Sequence, residues 1–271
     1  MIFKKTVTRT SAAGVHMANG IIRFQKVQLN VHSFATDGIV IDAGGKSLKP
    51  LLLDFWKEQI IDALYCTHIH EDHTGCADWF ERELQVPIYL NKRSLTEARK
   101  DGKYPLYRLL YWGKRKAFTP VPMPTTFNSR NCSWISIFTP GHSNDHTALL
   151  NKTTGQLFSG DLYVQTKTKV TMESESIPQI IKSLKTVLKH DFEEVFCCHA
   201  GYLPNGRKHL EDKLHYLQET AANVRDLNQK GLSVKEIQGQ LFPRKYPITT
   251  FSYGQWDSKH IITSILKGRL E

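Results

Sequence analysis

A chain of 271 residues is long enough for one large domain, or one domain with a small appendage, and for a substantial core. Its 40% hydrophobic and 23% charged residues are ordinary for a soluble globular protein, and no stretch approaches the length of a membrane-spanning helix. A formal charge of +10 fits an anionic partner such as nucleic acid or a thioester of an acidic carrier, or simply solubility; the basic residues are spread along the chain and their densest run, Lys114-Arg115-Lys116, is short, which favours a solvated surface.

The opening Met1-Ile2-Phe3-Lys4-Lys5 runs into Thr, Arg and Ser rather than an apolar core, so no secretory signal is expected. Five cysteines (Cys66, Cys76, Cys132, Cys197 and Cys198) lack framework or zinc-finger spacing. They are expected as reduced apolar filling, and the setting as cytoplasmic.

Residues 20 to 42 alternate and are rich in β-branched side chains, with the hairpin signal Asp37-Gly38 between strand-like runs. Consecutive antiparallel strands are predicted, ending in Asp42-Ala43-Gly44-Gly45, where glycines allow close backbone approach. A helix is predicted from about Ser47 to Gln59, then a strand over Ile60 to Cys66, a helix from Gly75 to Leu84 and a short strand over Val86 to Leu90. Such alternation indicates helices packed on sheets. Ser94 to Lys100 reads as helical. The aromatic run Tyr104 to Trp112 has the spacing of inward-facing residues, so core is favoured over a pocket wall. Pro120, Pro122 and Pro124 mark an extended connection.

Strands follow at Trp134 to Phe138, Thr147 to Leu150, Gln156 to Ser159 and Glu194 to Cys198, with an amphipathic helix from Ile177 to Lys189. From about Asn205 the character changes to three helices: Arg207 to Gln229, Ser233 to Leu241 with a capping box at Ser233 and Glu236, and Ser258 to Lys267. These form either a small winged-helix-like unit or a layer packed on the main domain. The expected division is a catalytic domain over 1–204 and a helical C-terminal extension over 205–271.

The stretch Thr67-His68-Ile69-His70-Glu71-Asp72-His73-Thr74-Gly75 packs three histidines and an aspartate into six residues at a strand end. On an extended backbone, residues two apart project to one side, so His68 and His70 can clamp one metal while the turn carries Asp72 and His73 to a second position. Imidazole with carboxylate suits zinc, iron or manganese rather than calcium or magnesium. Three further apolar strands end in a possible ligand: His142, Asp161 and His199. Ends of strands in a shared sheet lie along one edge, where active sites gather.

In this order, Asp42, His68-x-His70-x-Asp72-His73, His142, Asp161 and His199 resemble the five motifs of the metallo-β-lactamase-fold hydrolases, over residues 20 to 201. The resemblance implies a four-layer αββα sandwich, with two mixed β-sheets flanked by helices and a helical C-terminal extension. It implies two divalent metal ions, zinc in first place with iron or manganese as alternatives. His68, His70 and His142 would hold one ion; Asp72, His73 and His199 the other; Asp161 would bridge them. Asp42 would fix a ligand or the loop by hydrogen bonding, and His146 fits a supporting or substrate-side position. The implied chemistry is attack of a metal-bridging hydroxide on an ester, thioester or lactone of a small substrate, with Asp72 receiving or relaying a proton. Tyr163 either points its phenol at a substrate carbonyl oxygen or packs against a neighbouring strand.

Both His73 and Asp161 are present, which disfavours a true β-lactamase. Thr139-Pro140-Gly141-His142 resembles glyoxalase II, and a glyoxalase II-like or lactonase-like branch is the expected placement. The alternatives are an endoribonuclease of the same superfamily, suggested by the +10 charge and the C-terminal helices, and a non-catalytic nucleic-acid-binding protein with structural metal. A structural zinc is usually closed by four ligands, often with cysteine, and the histidine and carboxylate set disfavours that last reading. The expected partner is a small molecule, with nucleic acid possible but not favoured.

Overall fold

The computed structural model describes residues 3 to 268. The first sheet is built from β1 (Lys4–Ala12), β2 (Val15–Phe24), β3 (Val27–Thr36), β4 (Ile39–Ile41), β5 (Ala63–Tyr65), β6 (Ile88–Leu90) and β7 (Val121–Pro122), paired in that order. β1 to β4 are antiparallel and β4 to β7 parallel. Asp37 and Gly38 take φ of 46° and 82° in the tight β3–β4 turn, the left-handed pair that a two-residue hairpin requires.

The second half supplies β8 (Thr126–Asn128), β9 (Ser133–Phe138), β10 (Thr147–Asn151), β11 (Gln156–Gly160), β12 (Thr171–Met172), β13 (Val195–Cys197), β14 (Gly201–Leu203) and β15 (Trp256–Asp257). Six of these form a sheet ordered β14-β13-β11-β10-β9-β8, antiparallel except for the parallel β11–β13 pair, while β12 pairs with β15 alone.

The alternation of side chains along a strand separates two cores. Leu149, Phe158 and Phe196 face the first sheet, where Phe158 stacks on Phe196 at 4.9 Å and meets Phe34 edge-on at 5.5 Å. Their neighbours Ala148, Leu150, Leu157, Val195 and Cys197 face the other way, into helices. Both faces of the second sheet are therefore buried. Helices α1 (Lys49–Lys57), α2 (Glu71–Thr74), α3 (Ala77–Trp79), α4 (Leu95–Ala98) and α5 (Leu106–Trp112) accompany the first sheet. On α1 and α3, Trp56 and Trp79 stack at 5.4 Å. On the second sheet lie α6 (Ile177–Val187) and α7 (Gly206–Gln229), followed by α8 (Val234–Leu241), α9 (Pro247–Phe251) and α10 (Lys259–Lys267). The result is the expected α/β sandwich: two mixed sheets between helices, with C-terminal helices.

The C-terminal helices share one apolar cluster with the second sheet: Leu210, Leu217 and Val224 of α7, Ile237 of α8 and Ile261, Ile262 and Ile265 of α10 pack with Ile181 and Leu184 of α6. The box expected at the start of α8 is present, Ser233 accepting from the Glu236 N–H and the Glu236 carboxylate accepting from the Ser233 N–H.

Three elements differ from expectation. The helix expected over Gly75 to Leu84 starts earlier, at Glu71, and breaks into α2, α3 and a π-helical turn over Phe80–Leu84. The strand expected over Ile60 to Cys66 pairs only over Ala63–Tyr65. The aromatic run is both core and wall: Tyr107, Tyr111 and Trp112 are buried, while Tyr107 and Trp112 also line the cavity described below.

Candidate metal centre

β5 ends at Tyr65, and the following loop delivers His68 and His70 before α2 turns Asp72 and His73 inward. Close backbone approach seats this loop. A Cβ on Gly75 would lie 2.4 Å from the Glu71 carbonyl oxygen and 2.4 Å from the Lys46 nitrogen, so the ligand loop presses on the Gly44-Gly45 turn as no other residue would allow. Asp145 holds the neighbouring loop in register, accepting from the Ile69 N–H at 2.9 Å and from Ser143 Oγ at 2.7 Å.

Seven of the side chains singled out from the sequence converge. His70 Nδ1 lies 2.9 Å from His68 Nε2 and 3.0 Å from His142 Nε2. Beside them, Asp161 places Oδ1 at 3.3 Å from His73 Nε2, and Oδ2 at 3.0 Å from His199 Nε2 and 3.2 Å from His142 Nε2. Asp72 Oδ2 lies 3.8 Å from both His73 Nε2 and His199 Nε2. Three groups of possible ligand atoms result, each within 4.8 Å: His68, His70 and His142; Asp72, His73 and His199; and His68, His73 and Asp161, which joins the two.

Hydrogen bonds behind the ring fix which nitrogen faces inward. His73 Nδ1 donates to Asp42 Oδ2 at 2.8 Å, His199 Nδ1 to the Asn30 carbonyl at 2.5 Å, and His142 Nδ1 faces Glu175 Oε2 at 3.2 Å. Each turns Nε2 toward the cluster, the orientation that metal-binding histidines need. Asp42 is fully buried at φ 59°, unusual for a residue with a side chain. Its carboxylate accepts from the Thr67 N–H at 2.8 Å, from Thr67 Oγ1 at 2.9 Å and from Cys198 Sγ at 2.9 Å as well. His146 also sits behind the cluster: its Nε2 accepts from the Asp161 N–H at 2.9 Å and its Nδ1 meets Thr139 Oγ1 at 2.8 Å.

Tyr163 is not brought to the ring. It is 6% exposed within the apolar cluster of the second sheet, its hydroxyl meeting Thr166 Oγ1 at 2.9 Å and His209 Nδ1 at 3.3 Å. Of the two roles open to it, packing is the one its surroundings fit. Sequence reasoning missed Glu175, the Asn30 carbonyl and Cys198 as partners of the ring, because each arrives from a distant strand or loop without a local pattern.

Electrostatics sharpen the picture. Burial lowers the pKa of His68 and His70 well below the ordinary imidazole value, with neighbouring imidazoles adding to the effect, so both keep free lone pairs. Burial also works against charge on His199, but Asp161 and Asp72 outweigh it and raise its pKa to about 9. For Asp161, burial would raise the pKa, and His199, His73 and His142 together drive it well down instead.

The donor set fits divalent metal on two observations. His73 Nε2 and Asp161 Oδ1 are buried and make no well-formed hydrogen bond, facing one another at 3.3 Å, an arrangement that a cation held between them would complete. Three imidazole nitrogens also meet at 2.9 and 3.0 Å, close to the spacing of about 3.3 Å between nitrogens bound tetrahedrally to zinc at about 2.0–2.1 Å.

The ring opens on a cavity of about 420 Å³. His70, Asp72, His142, Asp161 and His199 line its floor, and its walls are mostly apolar, with Val27 and Leu29 of β3, Trp112 of α5, Met172 of β12, Ile248 of α9 and Trp256 of β15.

A family model described as the metallo-beta-lactamase superfamily matches residues 35–199. Among solved structures, a beta-lactamase domain protein from Burkholderia ambifaria superposes with a TM-score of 0.68 at 16% identity, covering 95% of this chain and 87% of that one. A metallo-beta-lactamase from Pontibacter korlensis gives 0.61 at 20%, covering 79% and 99%. The probable metallo-hydrolase YybB of Bacillus subtilis (strain 168) is 28% identical over 107 residues, 39% of this chain and 47% of that one. The match thus spans about half the length of that curated relative. The chain belongs to the metallo-beta-lactamase superfamily.

Proposed function

We propose that this chain is a dinuclear metal-dependent hydrolase acting on an ester, thioester or lactone bond of a small molecule, in the glyoxalase II-like or lactonase-like part of the superfamily. The observation that carries the reading is the convergence of three imidazole nitrogens beside the buried His73 Nε2 and Asp161 Oδ1, which lie 3.3 Å apart without a well-formed hydrogen bond. His68, His70 and His142 would hold one ion, Asp72, His73 and His199 the second, and Asp161 both, with zinc favoured over iron or manganese by the imidazole-rich set. Two such ions supply Lewis-acid polarisation of the bond under attack and make water nucleophilic near neutral pH.

The chain's own residues do the remainder. Asp42, Glu175 and the Asn30 carbonyl orient the imidazoles, and His146 orients Asp161 through its backbone N–H. Asp72 lines the cavity floor, where its carboxylate is positioned to take up and return a proton on the substrate side. The apolar wall residues of β3, α5 and α9 favour a small, partly apolar substrate over an RNA strand, for which an open basic track would be needed.

Metal-loaded protein tested on thioester, lactone and nitrophenyl-ester substrates is expected to hydrolyse at least one class and to lose that activity on chelation. Inactivity on every class, or activity that survives chelation, contradicts the proposal. Binding of single-stranded RNA at low salt would favour the endoribonuclease reading instead.

A further inference from the structure

Three cations that line the cavity, Lys26, Arg108 and Lys213, have no part in the ring. Lys213 projects from α7 into the cavity, yet is only 5% exposed. An ammonium carries three donors. One goes to the Tyr163 carbonyl oxygen, and the Tyr163 ring lies 5.9 Å from Nζ. No carboxylate of the described residues forms an ion pair with it, and Glu175 and Asp161, which line the same cavity, act on it only from farther away. The other cavity cations differ: Lys26 is exposed, and Arg108 spends both arms on Glu71, at 2.5 and 2.6 Å. A buried ammonium with no counter-ion in contact is unfavourable unless something completes it. Burial holds its pKa down, to about 8, which leaves the amine largely protonated near neutral pH.

We infer that Lys213 receives an anionic group of the substrate, so that the molecule hydrolysed here bears a carboxylate in addition to the bond that is cut. The inference rests on the proposed hydrolytic reading for the role of the ring, and adds the charge of the substrate. Apolar residues on the walls, Val27, Leu29, Val170, Met172 and Ile248, would take the carbon skeleton between the two polar ends. Desolvation strengthens the pairing, because an ammonium and a carboxylate that meet away from water attract far more than at a surface. A purely structural Lys213 would only tie α7 to the Tyr163 carbonyl. It would then stabilise the fold without discriminating between ligands.

The test uses metal-loaded full-length protein and simple probes: linear dicarboxylates of four to six carbons, each compared with its own monoamide, with affinity read by calorimetry. Both members of a pair offer one carboxylate to the metal centre, so their difference isolates the second charge. At least one dicarboxylate is expected to bind about tenfold more tightly than its monoamide, the scale of one charge-assisted hydrogen bond. Lys213→Met should remove that preference and Lys213→Arg should keep a measurable part of it, with circular dichroism confirming that each variant is folded. If Lys213→Met fails to fold, loss of the preference in wild-type protein whose lysines are acetylated, and its survival when a dicarboxylate protects them during acetylation, gives the same reading. Equal affinity within every pair, including no binding of either member, overturns the inference, as does a preference that survives in Lys213→Met. Failure of the underlying metal reading is seen separately, as a metal content below two ions per chain.

Discussion

Asp42 shows how one side chain can govern several others. Its Oδ2 meets His73 Nδ1, Thr67 Oγ1 and Cys198 Sγ together, so Asp42→Asn, which keeps the shape but removes the charge, leaves donors facing a donor. Metal affinity is expected to fall by about 10- to 100-fold, the usual effect of losing a group that orients a ligand, as read by competition with a chromogenic chelator. Gly160 is equally constrained: it sits at φ 50°, and a Cβ there would lie 2.5 Å from His146 Nε2. Gly160→Ala is expected to destabilise the fold by about 1–3 kcal/mol in urea unfolding and to disturb Asp161, its neighbour. Lys213 gives a pH signature of its own. Between about 8 and the ordinary 10.5 the unfolded chain keeps a proton that the folded chain releases, so stability contributed through this residue rises with pH across that window. Urea unfolding of wild type should show that slope, and Lys213→Met should lose it. At this scale the sequence was most informative about the candidate ligands, because His68, His70, Asp72 and His73 fall within six residues and the others end apolar strands. Glu175 and Asn30 were illegible, since their roles depend on a loop and a strand meeting His142 and His199 across 33 and 169 residues of chain.

At the level of elements, α5 is fastened to the ligand loop by the buried pair of Arg108 and Glu71. Arg108→Met would strand a buried carboxylate beside Asp72, a change expected to destabilise by about 3–5 kcal/mol. Its pH dependence has a definite sign. Burial, against the opposing Arg108, holds the Glu71 pKa above its ordinary 4.5, so the folded carboxyl keeps a proton at a pH where the unfolded one has lost it. Stability contributed by Glu71 therefore falls as pH rises above that value, and the variant should fall more steeply. Unfolding at about pH 5 and about pH 8 measures it. The elements that the sequence left unread share a cause. β1 is largely exposed and pairs with β2 mainly through backbone bonds, without an alternating apolar face to announce it. Likewise β12 and β15 are two residues each and exist because a distant partner is present. In the second sheet β9, β10, β11 and β13 were legible, since apolar runs bounded by turn residues mark them, whereas the three-residue β8 and β14 were not.

For the whole molecule, two sheets, a helical layer and the C-terminal helices close around one edge, where the ring and cavity lie. Residues 205–271 supply Leu210, Leu217, Val224, Ile261 and Ile265 to the second core and Ile248 and Trp256 to the cavity wall. Truncation after residue 204 is expected to yield insoluble or molten protein rather than a stable catalytic core, judged by near-ultraviolet circular dichroism and by solubility. No helix among the described residues is long and apolar enough to cross a membrane. The measurement that bears most directly on the whole is elemental analysis of the purified, metal-loaded chain with its His70→Ala and His199→Ala variants. Two ions per wild-type chain and about one in each variant are expected. One ion or none in the wild type, or two retained in both variants, would contradict a centre shared by His68, His70, His142, Asp72, His73, His199 and Asp161.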